Sequence, residues 1–167
     1  MWDENSVVYC RNGHRVGWIP EHYFQSVAPG RLRETIIQQE IEELARLGYC
    51  TECGAESLPA CESCEAILGD PTNRPSYCGS CGKPFPWTQT ALEAAKEYTD
   101  ELDELSPEDK SLLKQSFVDL TVDTSRTPLA ASRFKRMMEK AGPVAGQVLS
   151  KIVVDFATEA AKKLTGL

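Results

Sequence analysis

Seven cysteines punctuate the first half of this sequence: Cys10, Cys50, Cys53, Cys61, Cys64, Cys78 and Cys81. Six form three Cys-x-x-Cys pairs, 50/53, 61/64 and 78/81, and the seventh opens Cys10-Arg11-Asn12-Gly13-His14, four positions before a histidine. Thiolate and imidazole groups about two to four residues apart on one tight turn can chelate a single ion, and zinc favours four such donors. Seven cysteines plus His14 make eight ligands, two complete tetrahedral sites with nothing over. The acidic start Met1-Trp2-Asp3-Glu4-Asn5 does not read as a secretory leader, and an odd number of cysteines does not suit a disulfide framework. Metal is the better use of these thiols.

Loop closure suggests how the half-sites pair. Thirteen residues separate Cys64 from Cys78, and they include the turn-rich run Gly69-Asp70-Pro71-Thr72-Asn73-Arg74-Pro75. Cys61, Cys64, Cys78 and Cys81 are therefore expected to form one site. Cys10 and His14 then join Cys50 and Cys53 across 35 intervening residues. An interleaved pairing is the alternative, and iron in a rubredoxin-like four-thiolate site is the rival to zinc. Gly13, Gly54, Gly79 and Gly82 lie in or just after the ligand turns, where backbone curling around sulfur calls for positive φ. His22 is too far from Cys10 to share its turn and is expected at the surface or in packing. Sites filled by four protein ligands leave no open coordination position, so both are expected to be structural, holding two Zn2+ ions.

The elements that must carry these ligands follow from periodicity. Val7-Val8-Tyr9-Cys10 and Val16-Gly17-Trp18-Ile19 flank Asn12-Gly13 and predict a β-hairpin over 6–19. After a loop over 20–30, Leu32, Ile36, Ile37, Ile41, Leu44 and Leu47 recur at helical spacing and predict an inserted helix over 31–47. Residues 49–90 read as two ribbon knuckles in tandem. Phe85 and Trp87, in a proline-stiffened run, are expected to cover the second site, with nucleobase stacking as the alternative.

Beyond residue 90 the pattern is helical. Thr90 with Glu93 resembles a capping box opening a helix to Leu105. Ser106-Pro107 and Thr127-Pro128 are further cap-plus-proline starts, the latter leading to Lys140. Gly142-Pro143 breaks the chain before a last amphipathic helix to Leu164. The expected fold class is α+β: tandem zinc ribbons with an inserted helix over 1–90, then an all-α region of about four helices over 91–167.

Charge is unevenly distributed within the overall −7. Residues 1–90 hold 7 basic and 12 acidic side chains, residues 91–123 hold 3 and 10, and residues 124–167 hold 8 and 3. The acidic and basic helices are expected to face each other, within the chain or between subunits. Arg126, Arg133, Lys135, Arg136 and Lys140 form the candidate patch for phosphate or nucleic acid. The apolar stripe of the last helix, from Val144 to Leu164, suits a bundle or an oligomer better than a membrane surface.

Three stretches resemble a family of bacterial double zinc-ribbon proteins of unknown function. They are Cys10-Arg11-Asn12-Gly13-His14, the run from Tyr77 through Cys78-Gly79-Ser80-Cys81-Gly82-Lys83 to Thr88, and Arg126-Thr127-Pro128 through Arg133-Phe134-Lys135-Arg136. The resemblance implies a bacterial, cytoplasmic protein and supports both ligand sets, but brings no activity. The chain has no phosphate-cradling glycine loop and no serine in a nucleophile elbow. With His14 used by metal, His22 has no acid or nucleophile placed near it by spacing. The expected function is a non-enzymatic zinc-binding adaptor that recognises a protein partner and self-associates through its helices. Nucleic-acid binding through the basic helices is the alternative, and action at a membrane through the last helix the third reading.

Overall fold

A computed structural model of the chain describes residues 7–18, 43, 46, 48–68 and 74–167. It divides into two compact units, Met1–Trp87 and Thr88–Leu167.

In the first unit, β1 (Val7–Cys10) and β2 (Arg15–Trp18) form the expected hairpin, with Val7 opposite Trp18 and Val8 opposite Gly17. A register shift between Val8 and Tyr9 then sets Tyr9 opposite Arg15. The two-residue strand β3 (Ser57–Leu58) pairs with the other edge of β1, giving the order β2-β1-β3. All four residues of β1 are buried, as its central place demands. Val7 and Tyr9 join Leu58, Leu68, Phe85, Trp87 and two of the cysteines, Cys61 and Cys78, in one small core. The helix expected over 31–47 lies outside the described residues, apart from Glu43 and Arg46, which are helical. The loop over 20–30 and the turn tip at 69–73 also lie outside them.

The second unit is helical, and two of its boundaries differ from expectation. Helix α1 spans Pro86–Asp100, so Thr90 lies inside it and does not cap it. Pro86 supplies the preset φ of a first helical position, a start signal stronger than the Thr90–Glu93 pattern. The helix ends five residues before Leu105. Leu102 and Leu105 are nevertheless buried, because tight turns closed by Leu102 N–H to Thr99 O and Leu105 N–H to Leu102 O carry them inward. Helix α2 spans Pro107–Leu120 and opens as expected, with Ser106 Oγ accepting from the Asp109 amide at 3.2 Å.

Helix α3 spans Thr127–Val154 with a kink at Gly142, whose φ of 86° and ψ of 171° lie outside helical space, just before Pro143. The expected continuous helix to Leu164 is overturned. Helix α3 ends at Val154, the Asp155 and Ala157 amides close its last turn onto Ile152 O and Val153 O at 3.2 and 2.8 Å, and α4 (Glu159–Thr165) restarts under Thr158, whose hydroxyl accepts from the Ala161 amide at 3.2 Å. The Thr158 amide itself donates to Leu120 O at the end of α2, 3.1 Å away. That tertiary bond fixes the break. The apolar stripe runs through it, with Leu149, Val153, Phe156 and Ala161 all buried in the bundle.

Phe117 anchors this core, meeting Phe134 and Phe156 edge-on at centroid distances of 6.4 and 6.1 Å. The opposed charges meet inside the unit. Asp119 takes a bidentate fork from Arg126 at 3.1 and 3.0 Å, and Asp109 accepts from Lys140 at 2.7 Å. Among the described residues no helix is long and apolar enough to cross a membrane.

Candidate metal centres

Each Cys-x-x-Cys turn is built by the same backbone bonds. The first cysteine's carbonyl accepts from the residue after the second cysteine: Gly54 N–H to Cys50 O, Glu65 N–H to Cys61 O and Gly82 N–H to Cys78 O, all 2.8 Å. The same cysteine's amide donates one residue further on, to Ala55, Ala66 and Lys83, again at 2.8 Å. Isolated bridges Tyr49–Glu56, Ala60–Ile67 and Tyr77–Pro84 close each ribbon just outside its turn. The Cys10–His14 turn is a variant, with Gly13 N–H to Cys10 O at 2.8 Å and Cys10 N–H to His14 O at 2.9 Å. Gly13, Gly54 and Gly82 have the expected positive φ, whereas Gly79 does not. Glu65, with φ 58°, fills the corresponding place in the 61–64 turn. Aligning the three turns by their cysteines places Glu65 where the others carry Gly54 and Gly82, and that alignment is the sequence signal of its conformation.

The turns converge in two groups, Cys10, His14, Cys50 and Cys53, and Cys61, Cys64, Cys78 and Cys81, with each group's ligand atoms within 4.8 Å of one another. These are the sequential pairings expected from loop length. In the first group Cys10 Sγ lies 3.7 Å from Cys53 Sγ, and Cys50 Sγ lies 3.8 Å from His14 Nδ1. In the second, Cys61 to Cys81 and Cys64 to Cys78 are both 3.7 Å. A disulfide needs about 2.05 Å between sulfurs. A tetrahedron with zinc–sulfur bonds of about 2.3 Å has an edge of about 3.8 Å, so the observed separations fit a shared tetrahedral ion. In each Cys-x-x-Cys turn the first cysteine is buried and the second exposed.

Donors around the sulfurs favour thiolate. The His14 amide points at Cys10 Sγ at 3.3 Å, and Asn12 Nδ2 donates to Cys53 Sγ at 3.5 Å. The Ala55 amide is the main cause of the lowered Cys53 pKa, while burial pushes Cys10 up. In the second group the Ala66 amide lowers Cys64, but burial and the neighbouring thiols of Cys81, Cys78 and Cys61 outweigh it and raise that thiol to about 12. Burial raises Cys78, but the Cys81 and Ser80 amides and the Cys64 and Cys81 thiols outweigh it and bring Cys78 down to about 7. One thiol gives up its proton readily while a neighbour holds on, as expected of sulfurs in mutual hydrogen-bonding distance.

The other candidate residues divide. Phe85 and Trp87 stack at 4.7 Å in the core beside Cys61 and Cys78, and Trp87 Nε1 donates to Pro75 O at 2.8 Å. They therefore pack, and neither presents a face for a nucleobase. Of the basic patch, Arg126 and Lys140 bind Asp119 and Asp109. Arg133 is half-buried, while exposed Lys135 and Arg136 line a cavity of about 410 Å³ with Ser132, Glu139 and Leu164. Arg11 was not singled out by its spacing, yet it bonds both Glu56, at 3.1 Å, and Glu62.

Residues 30–165 match a family described as an uncharacterized protein conserved in bacteria (DUF2321). The matched span contains the whole second group and the Cys50–Cys53 half of the first, while Cys10 and His14 precede it. No curated protein and no solved structure matches the chain.

Proposed function

The chain belongs to this family of uncharacterized bacterial proteins (DUF2321), and from that premise we propose that it acts as a non-enzymatic zinc-binding adaptor. Two Zn2+ ions occupy the two ligand groups as structural ions, the ribbon module recognises a protein partner, and the helical unit mediates self-association or coupling to an effector. The observation that carries this reading is the closure of both groups. Each supplies four protein ligand atoms within 4.8 Å, which fills a tetrahedral shell and leaves no position for a substrate or an activated water.

Zinc is preferred to iron because one group mixes imidazole with three thiolates, a set that suits zinc, and because a non-redox ion suits a scaffold. A protein partner is preferred to nucleic acid because Phe85 and Trp87 are spent on the core and Arg126 and Lys140 on carboxylates. The test combines metal analysis, sedimentation and affinity capture from the native bacterial cell. The expected result is two zinc ions per chain, an oligomer, and a protein partner lost when zinc is stripped. A monomer that retrieves no protein and shows turnover or sequence-specific nucleic-acid binding would sink the proposal.

A further inference from the structure

The two ligand groups are separate in chemistry but not in construction. Strand β1 ends in Cys10, a ligand of the first group, while its Val7 and Tyr9 lie in the core that also holds Cys61 and Cys78 of the second. The Cys10–His14 turn sits directly on the surroundings of the second group. A Cβ placed on Gly13 would come within 2.5 Å of Arg74 Nη1 and 3.0 Å of Trp87 Cγ. Arg74 lies between the two ribbons of the second group, and Trp87 follows the last of its ligands. The neighbouring Arg11 spans the groups on the outside: its guanidinium bonds Glu56, just beyond the Cys50–Cys53 turn, and Glu62, inside the Cys61–Cys64 turn.

We propose that the two metal centres load as one cooperative unit, with Arg11 as the positioning residue that ties the first centre to the second. The inference rests on reading both groups as metal centres. An ion in the second group orders the Cys61–Cys64 and Cys78–Cys81 ribbons and so builds the seat on which Gly13 lies. It also fixes Glu62 for Arg11. The first group then gathers its ligands on a surface already formed, without repeating that loss of conformational freedom. Linkage makes the effect reciprocal, so an ion in the first group favours the second equally. Exposed ion pairs are individually weak. Arg11 acts by holding carboxylates from two different ligand turns with one planar fork.

Native mass spectrometry of the full chain at one zinc per chain reads this directly. Independent, equal sites would leave about half of the chains with a single ion, whereas tenfold to hundredfold coupling leaves only about a quarter to a tenth. The expected spectrum is dominated by metal-free and two-zinc chains. Half or more of the chains carrying one ion would overturn the proposal. Arg11→Met should still bind two ions at excess zinc, but with the singly loaded fraction rising toward half. An unchanged distribution in that variant overturns the role given to Arg11. A chain that takes up no zinc at all overturns the metal reading and this inference together.

Discussion

Glu65 and Gly82 occupy the same place in the two halves of one ligand group, and both adopt positive φ, 58° and 72°. Glycine reaches this region without penalty, whereas a side chain there costs about 1–2 kcal/mol. Glu65→Gly is therefore expected to stabilise the zinc-loaded ribbon unit by about 1 kcal/mol, and Gly82→Ala to destabilise it by a similar amount. Denaturant titrations of the two variants in saturating zinc check both signs. A destabilised Glu65→Gly protein would mean that its side chain does something the backbone account omits.

Metal removal should act on one half of the molecule. The core of the ribbon unit is small and includes two cysteines of the second group, so metal bound as proposed would supply much of its folding free energy, about 10–16 kcal/mol per site in zinc-finger peptides. The helical unit has its own core around Phe117, Phe134 and Phe156. A strong chelator should expose buried Trp87 to solvent, read as a red shift in fluorescence, with most of the helical circular dichroism retained. Loss of both signals together would show that the helices also depend on metal.

Two substitutions in the helical unit test its interruptions. Gly142→Ala would usually be favourable in a helix, but at φ 86° it should cost about 1 kcal/mol, although nothing crowds the position. Thr158→Ala removes the cap of α4 and should also cost about 1 kcal/mol. Thermal melts of the zinc-loaded chain measure both. A stabilised Gly142→Ala would mean that α3 can run straight through the kink.

Lys140 holds the Asp109 carboxyl below its usual pKa, chiefly by hydrogen bonding. A carboxylate lowered in the folded state adds stability above its unfolded pKa, and that stability is lost as pH falls through the folded value. Lys140→Met should thus be less stable than the wild type near neutrality, with the gap closing as pH drops below about 4. The gap should also shrink in high salt, since the lysine is about half exposed. A gap independent of pH would assign the lysine's contribution to its aliphatic stem.

Local chemistry was legible where it was short in range. The hairpin at Asn12-Gly13, the Ser106 cap and the Gly142-Pro143 break all rest on residues within a few positions of one another, and all stand in the structure. The stripe from Val144 to Leu164 misled because a hydrophobic period records which side is buried and not whether the helix is continuous. Phe156 keeps the stripe inward through the turn between α3 and α4, so periodicity alone cannot show the break.

Both ligand groups follow from spacing along the chain. Chelating turns are closed by neighbours in the chain, and joining the nearer pair of turns restricts the chain least. Long-range packing sets the glycine conformation of Glu65, the reach of Arg11 to Glu62 across 51 positions and the approach of Gly13 to Trp87. Those outcomes depend on how β1, β3 and the ribbons pack, which no local spacing encodes. The spacing of eight residues gathers two four-ligand groups, and strand β1 connects them, ending in Cys10 of the first while its Val7 and Tyr9 pack with Cys61 and Cys78 of the second.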